Sequence, residues 1–466
     1  MFKKYTLIFG LILVGLASTA QTTIKTGYFL PGMLNRHKIN PSAINDMAYV
    51  GVPIVSDLNM QVATNLGAGK LLFPLPDGQL TTFMNSAVGT KEFLAALAPV
   101  NNLDVNLGVD ILSGGFHAGN AYHTIALSLH SYSNANIPYA LFDFMKSGMT
   151  SPAVTQYNIR NLQLRTTNYI DLAYGYARHI NESWSVGGKL KLLVGLADLT
   201  AKINNMDILM SENEWTINSH GTLDVAAPGN LDFKTAEDGS INNFSLNNFG
   251  VAGLGAAIDL GATYRTPVEG LTVSLSVIDL GFISWSKSAR AATNSNPFSF
   301  KGFSDIAIGN EGGIPLDKQV TDLKNQVMDL INFYPEQGTR VRTTMLRPTL
   351  NAGIEYELVP DRFSFGLLSS TRFDPSFTIT ELILSANYRP CNWFNMALSA
   401  DWSNVSWSWG ALINFCPKFI NFFVGFDYFL TDITPQWIPM RSASPMLSLG
   451  LNVPIGHRYR YYKNRR

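Results

Sequence analysis

The feature that most constrains this chain is an alternation of facing that returns in segment after segment and is clearest near the C-terminus. From Asn392 to Trp402 one parity carries Phe394, Met396, Leu398, Ala400 and Trp402, and the other carries Asn395, Ala397, Ser399 and Asp401. Successive side chains of a strand point to opposite faces, so this segment has an oily side and a wet side. The next segment sets Val405, Trp407, Trp409, Ala411, Ile413 and Phe415 against Ser406, Ser408, Gly410 and Asn414. A third sets Ile420, Phe422, Val424, Phe426 and Tyr428 against Asn421, Gly425 and Asp427. Many consecutive strands of roughly ten residues with this pattern point to a transmembrane β-barrel, whose outer parity meets lipid and whose inner parity meets the lumen.

The N-terminus carries an export signal. Lys3 and Lys4 precede the apolar stretch Tyr5 to Leu16, and Ser18-Thr19-Ala20 supplies a small-residue cleavage site, so residues 1–20 read as a signal peptide and the mature chain begins at Gln21. That apolar stretch is shorter than the ~18 residues a spanning helix needs, and no later segment supplies such a run. Charged residues are 15% of the chain and aromatics 12%, against roughly 25% charged in ordinary soluble domains, which suits a lipid-facing wall ringed by aromatics. The expected location is the outer membrane of a Gram-negative bacterium, with its lipid as the first partner. The 34 basic and 34 acidic residues balance, so nothing marks nucleic acid as a partner.

The turns test the barrel reading, because connections must alternate between its two ends. Tight connections fall at Asn181-Glu182, Pro267 to Gly270, Pro360-Asp361, Pro390-Cys391 and Cys416-Pro417. Between them the chain goes out and returns through Leu196 to Gly250, Gly281 to Arg340, Asp374 to Ser376, Ser403-Asn404 and Thr431 to Ser444. All five tight connections lie on one end, as periplasmic turns do. The expected fold is all-β: a single antiparallel barrel over residues 47–456 with about fourteen strands, preceded by an N-terminal luminal segment over 21–46 and followed by a basic periplasmic tail over 457–466. The excursion after Leu196 leaves a sixteen-strand count open.

By parity the lumen receives Asp171, Lys189, Lys191, Asp259, Arg265, Glu355, Glu357, Glu381, Asp401 and Asp427. Their mixed, acid-leaning sign argues against a ring of one charge selecting ions. A hairpin about Ser403-Asn404 brings Cys391 and Cys416 within one residue of direct opposition, a spacing compatible with a disulfide in an oxidising compartment. His117, His123 and His130 lack companions at metal-ligand spacing, no Gly-x-Ser-x-Gly frames a nucleophile, and the glycines from Gly250 to Gly261 lead into a strand rather than a phosphate-cradling helix. The chain is therefore read as no enzyme, with no catalytic, metal or cofactor site. Three stretches carry helical spacing: Thr90 to Ala98, Pro138 to Lys146, and Leu316 to Phe333 with Val320, Leu323, Val327 and Leu330 on one side. They sit in the long loops, where they suit lids or docking faces.

Gly27 to Asp46 is too irregular for a strand yet apolar enough to need covering, with Phe29, Leu30, Pro31, Asn40 and Pro41 its salient residues. On Asn40, Pro41 and Ser42-Ala43 the chain resembles the fatty-acid-transporter (FadL) type of outer-membrane barrel, which implies fourteen strands and an N-terminal hatch inside the lumen. Through Ala20-Gln21, Asn40-Pro41 and Asp279 to Trp285 it is also similar to a family of unknown function in Bacteroidota-type outer membranes. The resemblance implies passage of a small hydrophobic or amphipathic ligand past the hatch. The alternative is a non-transporting scaffold whose loops bind a secreted or surface protein.

Overall fold

The computed structural model describes residues 23–74, 80–151, 153–211, 215–248, 250–293, 298–300, 332–429 and 446–456. The stretches expected as signal peptide, as basic tail and as a loop helix with Val320, Leu323, Val327 and Leu330 lie outside the described residues. The alternation closes into one wall of fourteen antiparallel strands. They are β1 (Ala48–Gly51 continued by Leu58–Thr64), β2 (Val100–Ala118), β3 (Ala121–Pro138), β4 (Thr155–His179), β5 (Trp184–Met210), β6 (Gly253–Arg265) and β7 (Leu271–Thr293). There follow β8 (Phe333–Met345 continued by Thr349–Val359), β9 (Phe363–Arg372), β10 (Ile379–Cys391), β11 (Phe394–Ser403), β12 (Trp407–Phe415), β13 (Asn421–Phe429) and β14 (Met446–Ile455). Both halves of β1 pair with β14 on one side and β2 on the other, so the ring has no open edge.

The oily parity is the outer one. On β11, Leu398 is 62% exposed while Asn395 and Asp401 are fully buried. Aromatic side chains gather near both ends of the wall: Trp184 packs on Tyr264 and Trp393 on Phe415 beside the tight turns, and Trp407 on Trp409 toward the long loops. Their amphipathic rings suit the two membrane interfaces.

The sixteen-strand alternative does not form. The excursion after Leu196 contains Trp215–Ala226, which pairs with the outer halves of β5 and β7 where β6 has not yet begun, and a hairpin of Asn230–Thr235 with Ile241–Asn247 set apart from the wall sheet. Two short helices occupy the long-loop end, α1 (Thr90–Ala95) and α2 (Tyr139–Ser147). Phe93 of α1 and Phe142 of α2 share an apolar cluster with Phe83 and Val88, and Phe83 stacks on Phe93 at 4.5 Å between centroids.

The cysteine expectation fails on register. Trp393, not Asn392, stands opposite Cys416, whose N–H donates to the Trp393 carbonyl at 2.6 Å. Cys391 ends β10 and pairs with Phe394 in the preceding turn. The register differs by one residue from the expected one, and the two cysteines are not bonded to each other.

Candidate functional site

The lumen is filled by its own N-terminal segment. From Thr23 to Asn45 the chain makes successive turns and one short 3-10 helix, Leu34–Lys38, in place of a strand. Pro31, Pro41 and Gly32 deny it a regular ladder, and the apolar residues between them find partners on the inner wall. Ile24, Leu30 and Met33 pack with Ala397, Leu412, Phe423 and Met446, whereas Tyr28, Phe29 and Ile39 pack with Leu368 and Ile383. Burying each such large side chain contributes about 1.5–3 kcal/mol. A cavity of about 30 Å³ beside Phe29 and Leu30 holds a few waters at most.

The wall is cut to the shape of this segment. A Cβ placed on Gly187 of β5 would lie 2.2 Å from the Pro41 carbonyl oxygen, and one on Gly261 of β6 would lie 2.1 Å from Asn40 Oδ1. Gly366 of β9 leaves room in the same way for Phe29, and Gly425 of β13 for Ile24. These glycines are required by close approach rather than by backbone conformation.

Polar ties complete the seat. The Lys25 backbone N–H donates to Asp427 at 2.7 Å, the Lys25 ammonium pairs with Glu381, and the Thr26 hydroxyl bonds Asp427 and Ser399. Lys38 Nζ donates to Asp57 and to Asp110, each at 2.6 Å. Burial alone would pull the Lys38 ammonium down, but Asp110 and Asp57 outweigh it and hold the group above the ordinary lysine value. Burial and the neighbouring Lys189 drive the His37 imidazole well below its usual range. It therefore stays neutral, accepting from Lys189 at Nδ1 and donating from Nε2 to the Tyr49 hydroxyl, each at 2.8 Å. Asn40 donates to Tyr28 and Thr263, and the Ile39 carbonyl accepts from Ser276 and Asn351.

One tie joins the segment to an irregularity in the wall. Between Gly51 and Leu58 strand β1 advances seven residues while its partner β14 moves three, from Asn452 to Leu449. The surplus loops outward, leaving Pro53 and Ile54 exposed on the lipid face and Ser56 and Asp57 buried on the inner one. Asp57 is the carboxylate that holds Lys38.

Above the segment a second polar layer crosses the barrel. Arg347, in the break between the halves of β8, reaches Asp104 on β2 at 2.8 Å, and Arg372 of β9 reaches the same carboxylate at 3.3 Å. The Tyr132 ring of β3 has the Arg347 guanidinium 4.0 Å and the Arg165 guanidinium 5.2 Å from its centroid. Nearer the mouth, Ser376 in the β9–β10 loop accepts from Asn136 of β3 and from Gln163 of β4.

Of the lumen residues expected by parity, Asp171, Lys189, Lys191, Asp259, Glu381, Asp401 and Asp427 are buried in the interior and Glu355 is half-buried, whereas Arg265 and Glu357 stand exposed at the turn end of the wall. Phe29, Leu30, Asn40 and Pro41 are buried in the lumen, and Pro31 is exposed at its turn-end opening. The acid excess of the wall is met from within, since Lys25 and Lys38 belong to the segment and not to the strands. Sequence reasoning missed Lys38, Asp57, Arg347 and Arg372. The usable signal was Arg347-Pro348 interrupting a strand, together with Leu368, Ile383, Leu412 and Phe423 as apolar residues on wet parities. No group of three or more potential metal ligands occurs among the described residues.

Residues 41–427 match a family model described as a family of unknown function, DUF5723. No curated protein matches the chain in sequence. Among solved structures the chain is similar to the toluene transporter TbuX of Ralstonia pickettii, at 8% identity and TM-score 0.43, over 91% of this chain and 95% of that one. It is likewise similar to a FadL homologue of Pseudomonas aeruginosa, at 10% identity and TM-score 0.42, over 94% and 98%. A third is the translocator domain of the autotransporter NalP of Neisseria meningitidis, at 8% identity and TM-score 0.32, over 87% and 88%.

Proposed function

The chain belongs to the DUF5723 family of unknown function, and we propose that it is an outer-membrane conduit for a small hydrophobic or amphipathic molecule, with residues 23–46 as its hatch. The observation that carries this reading is the construction of the lumen: a closed ring of fourteen strands obstructed by one terminal segment that belongs to none of them. Such a segment can leave its seat without breaking the wall's backbone ladder. The apolar clusters beneath α1 and α2 favour an apolar or amphipathic passenger at the mouth. The tie from Lys38 to Asp57 favours a coupling between the hatch and the outward loop of β1, beside which an apolar molecule would meet lipid.

Locking the hatch tests this. Thr26 and Ser399 touch hydroxyl to hydroxyl at 2.7 Å, so Thr26→Cys with Ser399→Cys places two thiols for a disulfide in a background where Cys391 and Cys416 are serine. Oxidised cells should take up the lipophilic dye N-phenylnaphthylamine at the rate of cells lacking the protein, and a reductant should restore the faster rate. Equal uptake before and after reduction contradicts a moving hatch. The ties that span the lumen from Arg347 and Arg372 to Asp104 favour a second reading, a rigid non-transporting scaffold, and that same equal uptake is its expected result.

A further inference from the structure

The upper polar layer is not electrically closed. Four guanidiniums, Arg165, Arg342, Arg347 and Arg372, meet three carboxylates, Asp104, Asp198 and Asp374. Arg342 is satisfied by Asp198, Arg347 and Arg372 share Asp104, and Asp374 lies 3.8 Å from Arg347. Arg165 is the one left over. It is 8% exposed, makes no ion pair within 4 Å among the described residues, and donates a single long hydrogen bond of 3.5 Å to the Met345 carbonyl. Its Nε has no acceptor among the described residues, and neither has Nε of Arg372, which is equally buried. Asp198 and Asp374 act on Arg165 only from beyond ion-pair distance and are each already paired with another arginine. A buried cation with no direct ion pair is costly, and a guanidinium edge without an acceptor in such a place fits a planar or tetrahedral oxyanion.

We propose that this layer is a binding site for a small oxyanion of single negative charge, a carboxylate or monobasic phosphate group, held between Arg165 and Arg372 beside Tyr132. The arginines come from β4 and β9, five strands apart in the ring, with Arg347 from the break in β8 completing the charged surround. The Asp104, Asn106 and Gln61 acceptors fix Arg347 and Arg372 in place, so the unpartnered donors sit in an ordered frame rather than on mobile side chains. An anion here balances the layer and ties three wall strands together above the hatch. The site is an equilibrium property of the wall and stands whether or not the barrel conducts.

Calorimetric titration of the detergent-solubilised full-length protein tests it, with sodium acetate and, separately, sodium phosphate at constant ionic strength. Saturable binding of either is expected, weakened at least tenfold by Arg165→Gln and unaffected by Arg290→Gln, whose pair with Asp224 lies outside the layer. Saturation by acetate alone assigns a carboxylate, and by phosphate alone a phosphate group. Should Arg165→Gln lose the heat-modifiable gel mobility of a folded barrel, Arg372→Gln reads the same site from its other side. Absence of saturable heat with both anions overturns the proposal, as does wild-type affinity in a folded Arg165→Gln or Arg372→Gln protein.

Discussion

Replacing Gly187 with valine will leave the barrel standing and drive residues 23–46 from their seat. The new side chain would begin 2.2 Å from the Pro41 carbonyl and 2.9 Å from the Ser42 nitrogen, both backbone atoms with no rotamer through which to yield. Overpacking a well-fitted interior costs about 1–3 kcal/mol, and here the strained partner is a segment that can move away rather than a strand fixed on both sides. Trypsin reports the displacement, because Lys38 is buried in the wild-type lumen and becomes a cleavage site once the segment is out. Cleavage there should rise at least tenfold, the equivalent of about 1.4 kcal/mol, while heat-modifiable mobility persists. Gly188 supplies the control: it is the next residue on β5 and faces outward, and its nearest neighbour to an added Cβ is a backbone oxygen at 3.4 Å. Gly188→Ala should behave as wild type. Unchanged protection in a folded Gly187→Val barrel would show that the fit between wall and segment does not hold the segment in place.

Lys38→Met should be the most destabilising single change in the hatch. It leaves the carboxylates of Asp57 and Asp110 buried without the cation they share, a loss of about 3–5 kcal/mol for a broken buried pair. The penalty belongs to the orphaned acids more than to the missing contact. Adding Asp57→Asn and Asp110→Asn to Lys38→Met should therefore recover most of the lost stability in urea unfolding, since neutral amides remove the uncompensated charge. A triple variant no more stable than the single one would mean that the lysine acts through its packing alone. Because Asp57 sits on the interrupted part of β1, hydrogen exchange in residues 52–57 should quicken in Lys38→Met and return in the triple variant.

The wall was legible in the sequence because its physics is local. Each strand must alternate to face lipid and lumen, and the side on which tight turns fall then sets strand number and topology. Local parity also put Asp259, Glu381 and Asp427 inside. It could not say what they meet, since their partners are distant in sequence: Lys191 for Asp259, and Lys25 of the luminal segment for both Glu381 and Asp427. The apolar residues at wet positions, Leu412 and Phe423 among them, were the trace of the luminal segment left on the wall. They look like errors in the alternation until the segment that covers them is known. The cysteines failed for a related reason. Hairpin geometry fixes register to within a residue, and a bond needs it fixed better than that. Arg265 and Glu357 kept the right parity but lie at the strand ends, where the interior has already opened.

On the reading proposed above, residues 23–46 are the main obstruction of the lumen, and the side-chain ties from Arg347 and Arg372 to Asp104 leave it passable to ions once that segment is gone. Single-channel recording in planar bilayers tests the claim most directly. Protein lacking Gly27 to Asn45, folded by heat-modifiable mobility, should hold a steady open conductance, while the intact barrel recorded under the same salt and voltage stays closed. Equal conductance from the two proteins, whether both open or both silent, would contradict the claim.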